Sequence, residues 1–117
     1  MGNAVKQIEV TIEQCKEVVE RGKTLERLLN HPDFNSLIMN DYMKRESHRQ
    51  TLLLSDPALD SKEHRAAIVR GLQAIADLNA YFRTVRTAGE VAERTLKEHQ
   101  EELAERLTNP DLDEDEE

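Results

Sequence analysis

The sequence predicts an all-α fold, either a long helical hairpin or a three-helix coiled-coil bundle, and an oligomer is expected. Three observations predict it. Residues 61–107 contain no proline, and their apolar spine runs Ile68, Leu72, Ile75, Leu78, Phe82, Val85, Gly89, Ala92, Leu96, His99 and Leu103. From Ile75 onward the steps alternate 3 and 4, which keeps one narrow stripe facing one partner along a helix. Residues 4–30 repeat the rhythm with Val5, Ile8, Ile12, Cys15, Val19 and Gly22. Composition agrees, since 34% of the residues are charged and only four are aromatic, with no tryptophan.

The first helix is expected over residues 4–30. Its outer positions alternate in sign through Glu9, Glu13, Lys16, Glu17, Glu20, Arg21 and Lys23, the pattern of a solvated helix face. Gly22 falls on the seam, where it either lets a partner backbone approach or marks a weak point at a cost of up to about 1 kcal/mol relative to Ala. Asn30-His31-Pro32-Asp33 ends this helix, because proline disfavours helical geometry in the residue before it and suits a first turn.

A second helix is expected over residues 32–54, through Phe34, Leu37, Ile38, Tyr42, Leu52 and Leu53. Its middle is anomalous. Arg45, Glu46 and Arg49 stand on turns where the stripe from Phe34 to Leu53 should place core residues. Glu46 and Arg49 are three apart and can pair. They either cover the edge of a seam with their stems or form a buried ion pair that sets oligomer register.

Ser55-Asp56-Pro57-Ala58-Leu59-Asp60 reads as a short loop, and either Asp60 with Glu63 or Ser61 alone can cap the long third helix, expected over 61–107. If the loop is a hairpin tip, facing residues have numbers summing to about 116 on helices of equal rise. Phe34 then lies beside Phe82, Tyr42 beside Ala74, and Gly22 beside Arg94. The competing topology folds the first helix back at Pro32 into a compact three-helix bundle. Thr87-Ala88-Gly89-Glu90 has the spacing of a helix start, but the stripe keeps its phase through it, so continuity is expected.

Residues 108–117 form an acidic tail with too little apolar content to fold. The formal net charge is −8, and it divides into −1 for residues 1–40, +2 for 41–87 and −9 for 88–117. The excess acidity argues against a phosphate-gripping duplex-DNA binder. It leaves the near-neutral middle open to single strands, through a candidate binding tip of Arg45, Arg49, Arg65 and Arg70 with Tyr81 for stacking.

No catalytic or metal-binding pattern emerges, so a non-enzymatic protein without a cofactor is expected. The histidines His31, His48, His64 and His99 are preceded three residues earlier by Leu28, Arg45, Ser61 and Leu96, which excludes the Glu-x-x-His motif of di-iron bundles. No two of them have zincin spacing, and no glycine-rich phosphate loop is present. The lone Cys15 reads as a small buried apolar residue and suits a reducing compartment. No apolar run is long enough to cross a membrane, no secretory signal is evident, and Lys6 breaks the myristoylation pattern after Met1-Gly2. A soluble cytoplasmic protein is expected.

A slender helical unit cannot cover its stripes alone, so the expected first partner is a second copy. The oligomer seam is expected at Ile8, Ile12, Cys15, Val19, Phe82, Val85, Ala92, Leu96 and Leu103. A monomeric bundle is the alternative.

Asn30-x-x-Asp33-Phe34, then Leu37, Tyr42, Arg49, Leu52 to Leu54 with Asp56-Pro57, and the run from Ala74-Ile75 through Leu78 to Tyr81-Phe82-Arg83-Thr84-Val85 resemble a group of small helical proteins of tailed bacteriophages. The resemblance covers most of the chain and rests on packing and turn residues. It implies a phage protein made in the bacterial cytoplasm, from the virion-assembly gene region, with a larger phage structural protein as a further partner and the virion as a second location. It supplies no catalytic residue.

Overall fold

Helical hydrogen bonding accounts for nearly all of the backbone. A computed structural model describes residues 2–109, and no strand occurs among them. The order is α1 (Asn3–Leu29), a single α-turn α2 (Pro32–Phe34), a π-helix (Asn35–Glu46), α3 (Ser47–Leu53), a 3-10 turn (Pro57–Leu59) and α4 (Lys62–Thr108). The expected tail falls outside the described residues from Pro110 onward. The fold is all-α, and its contacts divide into two compact units. One combines the chain up to Thr24 with the chain from Val85 onward, and the other is Leu25–Thr84.

In the first unit α1 and α4 pair antiparallel. A Cβ built on Gly22 would meet Gly89 Cα at 3.2 Å and the Val85 carbonyl oxygen at 3.7 Å, while one on Gly89 would meet Gly22 Cα at 3.1 Å and the Val18 carbonyl oxygen at 3.7 Å. Moving back along α1 from 22 to 18 therefore moves forward along α4 from 85 to 89. Both glycines have ordinary helical φ, so they are required by close backbone approach rather than by an unusual conformation. The stripe that ends at this crossing buries Val5, Ile8, Ile12 and Cys15 on α1 and Val85 and Ala92 on α4. Each fully buried Val or Ile contributes about 1.5–3 kcal/mol over its exposed state.

Gly22 faces Gly89, not Arg94 as equal rise on both arms had implied. The count of residues per length differs between the arms, because Asn30-His31-Pro32 interrupts one of them while α4 is continuous through Gly89. At that interruption the His31 amide bonds back to the Leu28 carbonyl, and the His31 ring accepts the Asp33 amide at 3.2 Å, with Pro32 in the first helical turn.

In the second unit residues 32–53 run antiparallel to the start of α4. The rings of Phe34 and Phe82 meet edge to face with centroids 6.0 Å apart, as the hairpin register places them. Nearer the tip, Gln50 lies over Gly71, and the Arg65 guanidinium donates to the Leu54 carbonyl at 3.0 Å. Asp56 accepts the Ala58 amide at 2.9 Å and starts the 3-10 turn. Ser61 Oγ accepts the His64 amide at 3.1 Å, so Ser61 is the residue that caps α4.

Twelve residues of π-helix are unusual, since i→i+5 hydrogen bonding is mostly confined to single turns. The geometry resolves the polar middle of this arm. Its half-buried positions are Phe34, Ile38, Met39, Tyr42, Met43, Glu46, Ser47, Gln50, Leu53 and Leu54. Through the π segment they recur every four or five residues, the period of a helix that takes a little over four residues per turn. An α-helix from Phe34 would have carried Arg45 and Arg49 inward. The wider turn carries them out instead, and their side chains are 79% and 59% exposed.

Candidate interaction surface

The expected seam residues occupy the interior of a single chain. Ile8, Ile12, Cys15, Val85 and Ala92 are buried, and Val19, Leu96 and Leu103 are half-buried on the same stripe of the first unit. Phe82 belongs to the second unit and is half-buried against Phe34. Five of these nine side chains are thus buried within one chain and four are half-buried.

Of the exposed large apolar side chains, Val10, Val91 and Leu107 belong to the first unit and five belong to the second. There only Leu25, Ile68 and Ile75 are buried apolar side chains. Leu28, Leu37, Leu52, Val69 and Tyr81 are exposed, and Tyr81 leans on the Phe82 ring with centroids 6.2 Å apart. The π geometry is the local cause for Leu37 and Leu52, because the turn that swings Arg45 and Arg49 outward swings these two leucines out with them.

Three of the four arginines of the candidate tip have partners within the chain. Arg45 lies 3.4 Å from Asp41 on its own helix. Arg49 makes a two-pronged contact with Glu46, donating Nε to Oε2 at 2.9 Å and Nη2 to Oε1. Gln50 adds a third donor to the same carboxylate at 2.9 Å. The Arg49 bonds, and after them the Gln50 bond, hold the Glu46 carboxyl at about 2, below its ordinary 4.5. Arg49 is raised by the same pairing. The pair forms as its spacing predicts, but it is a surface pair and not a buried one. Arg65 is occupied at the Leu54 carbonyl, and Arg70 has no ion pair among the described residues.

His99 sits half-buried on the α4 stripe. Its Nδ1 is buried without a hydrogen-bond partner and lies 3.6 Å from Glu102 Oε2, too far for a hydrogen bond. Glu102 is engaged from the other side by Arg106 Nε at 3.3 Å. No group of three or more His, Cys, Asp or Glu among the described residues is placed to hold a metal ion. No described helix is long and apolar enough to cross a membrane.

Sequence reasoning missed the π-helix and, with it, the exposure of Leu37 and Leu52. The signal was present in the run Arg45, Glu46 and Arg49, which breaks an α-helical stripe but not a wider one. No family model, curated protein or solved structure matches this chain.

Proposed function

We propose that this chain is a non-enzymatic helical interaction protein that associates with copies of itself and acts in capsid or virion assembly of a tailed bacteriophage. The carrying observation is the thin core of the second unit. Phe34, Ile38, Met39, Tyr42, Met43, Tyr81 and Phe82 are among its large apolar and aromatic side chains, and none of them is fully covered within one chain. Sixty residues with three buried apolar side chains hold far less core than a domain of that size needs. Docking a second copy over this surface supplies the missing burial.

The setting in phage assembly comes from the resemblance carried by residues 30–85. A helical protein with no catalytic constellation and an uncovered apolar face suits a scaffold or minor structural role, with its mixed-charge tip meeting a larger phage structural protein. Phage particles and proheads purified from infected bacterial cells test this reading. The chain is expected to travel with one or both, and a chain absent from both contradicts the assembly role. The other reading, a regulator that binds single-stranded nucleic acid through its tip, is disfavoured by the internal engagement of Arg45, Arg49 and Arg65.

A further inference from the structure

Positive and negative side chains balance on each helical arm except α4. α1 carries five basic and five acidic groups, and residues 32–53 carry three of each. In α4, one uninterrupted helix from Lys62 to Thr108, residues 62–86 carry five basic and two acidic groups and residues 87–108 carry three and six. Asp56 and Asp60 in the preceding loop bring the basic half to +1, still opposite in sign to the −3 of the other. The arms that α4 packs against are neutral, so they offer neither half a net complement.

The imbalance is ordered along one face. Arg70, Asp77, Arg94 and Glu101 are all exposed, and they follow the rhythm of three and four on the side of α4 away from the buried Ile68, Ile75, Val85 and Ala92. Arg70, Arg94 and Glu101 have no ion pair among the described residues, although Arg94 stands four residues from both Glu90 and Glu98. Asp77 accepts the Gln73 amide at 2.8 Å, which leaves its carboxylate room for further donors.

Turned end for end against a second copy, about an axis between Val85 and Arg86, this face meets its own complement. Arg70 falls opposite Glu101 of the second copy and Asp77 opposite Arg94, each twice over by symmetry. Gln73 falls opposite Glu98. Nearer the axis Ala80 meets Val91 and Thr84 meets Thr87, and these side chains are short enough to let the two helices approach. A parallel pair in register would set each charge against itself.

We propose that two copies associate antiparallel through this outer face of α4, in the register that pairs Arg70 with Glu101 and Asp77 with Arg94. The proposal rests on the self-association argued above and adds its direction. Exposed ion pairs are individually weak, so they fix orientation and register, while uncovered apolar surface supplies the affinity, with Val91 in the face and Val69 and Tyr81 beside it.

Spin labels read between copies of the full chain test it. Ala67→Cys and Ala88→Cys are labelled separately in a Cys15→Ala background, at exposed positions flanking the face. The antiparallel register predicts about 55 Å between the two labels at 67 and less than about 25 Å between those at 88. Arg70→Glu is expected to raise the dissociation constant of the dimer about tenfold, and adding Glu101→Arg is expected to restore it. Circular dichroism checks that each variant stays helical. Short distances at both positions, or an Arg70→Glu variant that associates like the parent or is not rescued by Glu101→Arg, would overturn this pairing and leave self-association standing. A mass of one chain at every concentration would remove both and leave the face to a different partner.

Discussion

Gly22 and Gly89 bring the backbones of α1 and α4 into direct contact, so close that a Cβ on either would lie 3.1–3.2 Å from the other's Cα. The obstructing atoms are backbone, which moves only if the helices separate. Two effects therefore oppose each other on Gly→Ala substitution. Helix propensity gains up to about 1 kcal/mol, and overpacking a fitted contact costs about 1–3 kcal/mol. Gly22→Ala and Gly89→Ala are each expected to destabilise the protein by about 1 kcal/mol in chemical denaturation. Gly71→Ala is the control. Its Cβ would meet only the Gln50 side chain at 3.5 Å or beyond, so propensity prevails and stability is expected to rise by about 0.5–1 kcal/mol.

The edge-to-face contact of Phe34 and Phe82 fixes the register of the second unit. A double-mutant cycle with Phe34→Leu and Phe82→Leu is expected to give a coupling of about 0.5–1.5 kcal/mol. A coupling near zero would mean the rings do not meet in solution.

Ser61 and not Asp60 closes the first turn of α4, since the hydroxyl accepts the His64 amide. Ser61→Ala is expected to cost about 1 kcal/mol in thermal unfolding, and Asp60→Ala much less. The opposite order would return the capping role to Asp60.

Glu46 is the titration marker of the tip. Its folded value of about 2 lies below the ordinary 4.5, so its contribution to stability is complete above about pH 4.5 and fades as the pH falls toward 2. Carbon-detected NMR titration is expected to find this carboxyl still ionised at pH 3. Arg49→Ala is expected to return it most of the way to the usual carboxylate range, with Gln50→Ala producing a smaller rise.

The all-α class and the Phe34 and Phe82 pairing were legible because both follow from local periodicity and one short loop. The partner of Gly22 was not, because a fixed rise per residue cannot anticipate how many residues an interruption such as Asn30-His31-Pro32 spends. The π-helix was hidden for a related reason. Stripes are read against a period of 3.6, and against that period Arg45 and Arg49 look like misplaced core residues. In the wider turn they are ordinary surface cations, Met43, Ser47 and Gln50 are half-buried, and Gln50 lies against Gly71 of α4. The exposure of Leu37 and Leu52 inverted with the same change of period. The seam positions are largely covered within one chain, and Leu37 and Leu52 lie uncovered on the arm where the period changed.

Self-association is the claim on which the functional account rests, and light scattering coupled to size exclusion across a range of concentrations measures it directly. The expected result is a mass of two or more copies of the 13.5 kDa chain, reduced toward one copy by placing aspartate at both Leu37 and Leu52. A mass of one chain at every concentration, unchanged by those substitutions, would contradict it.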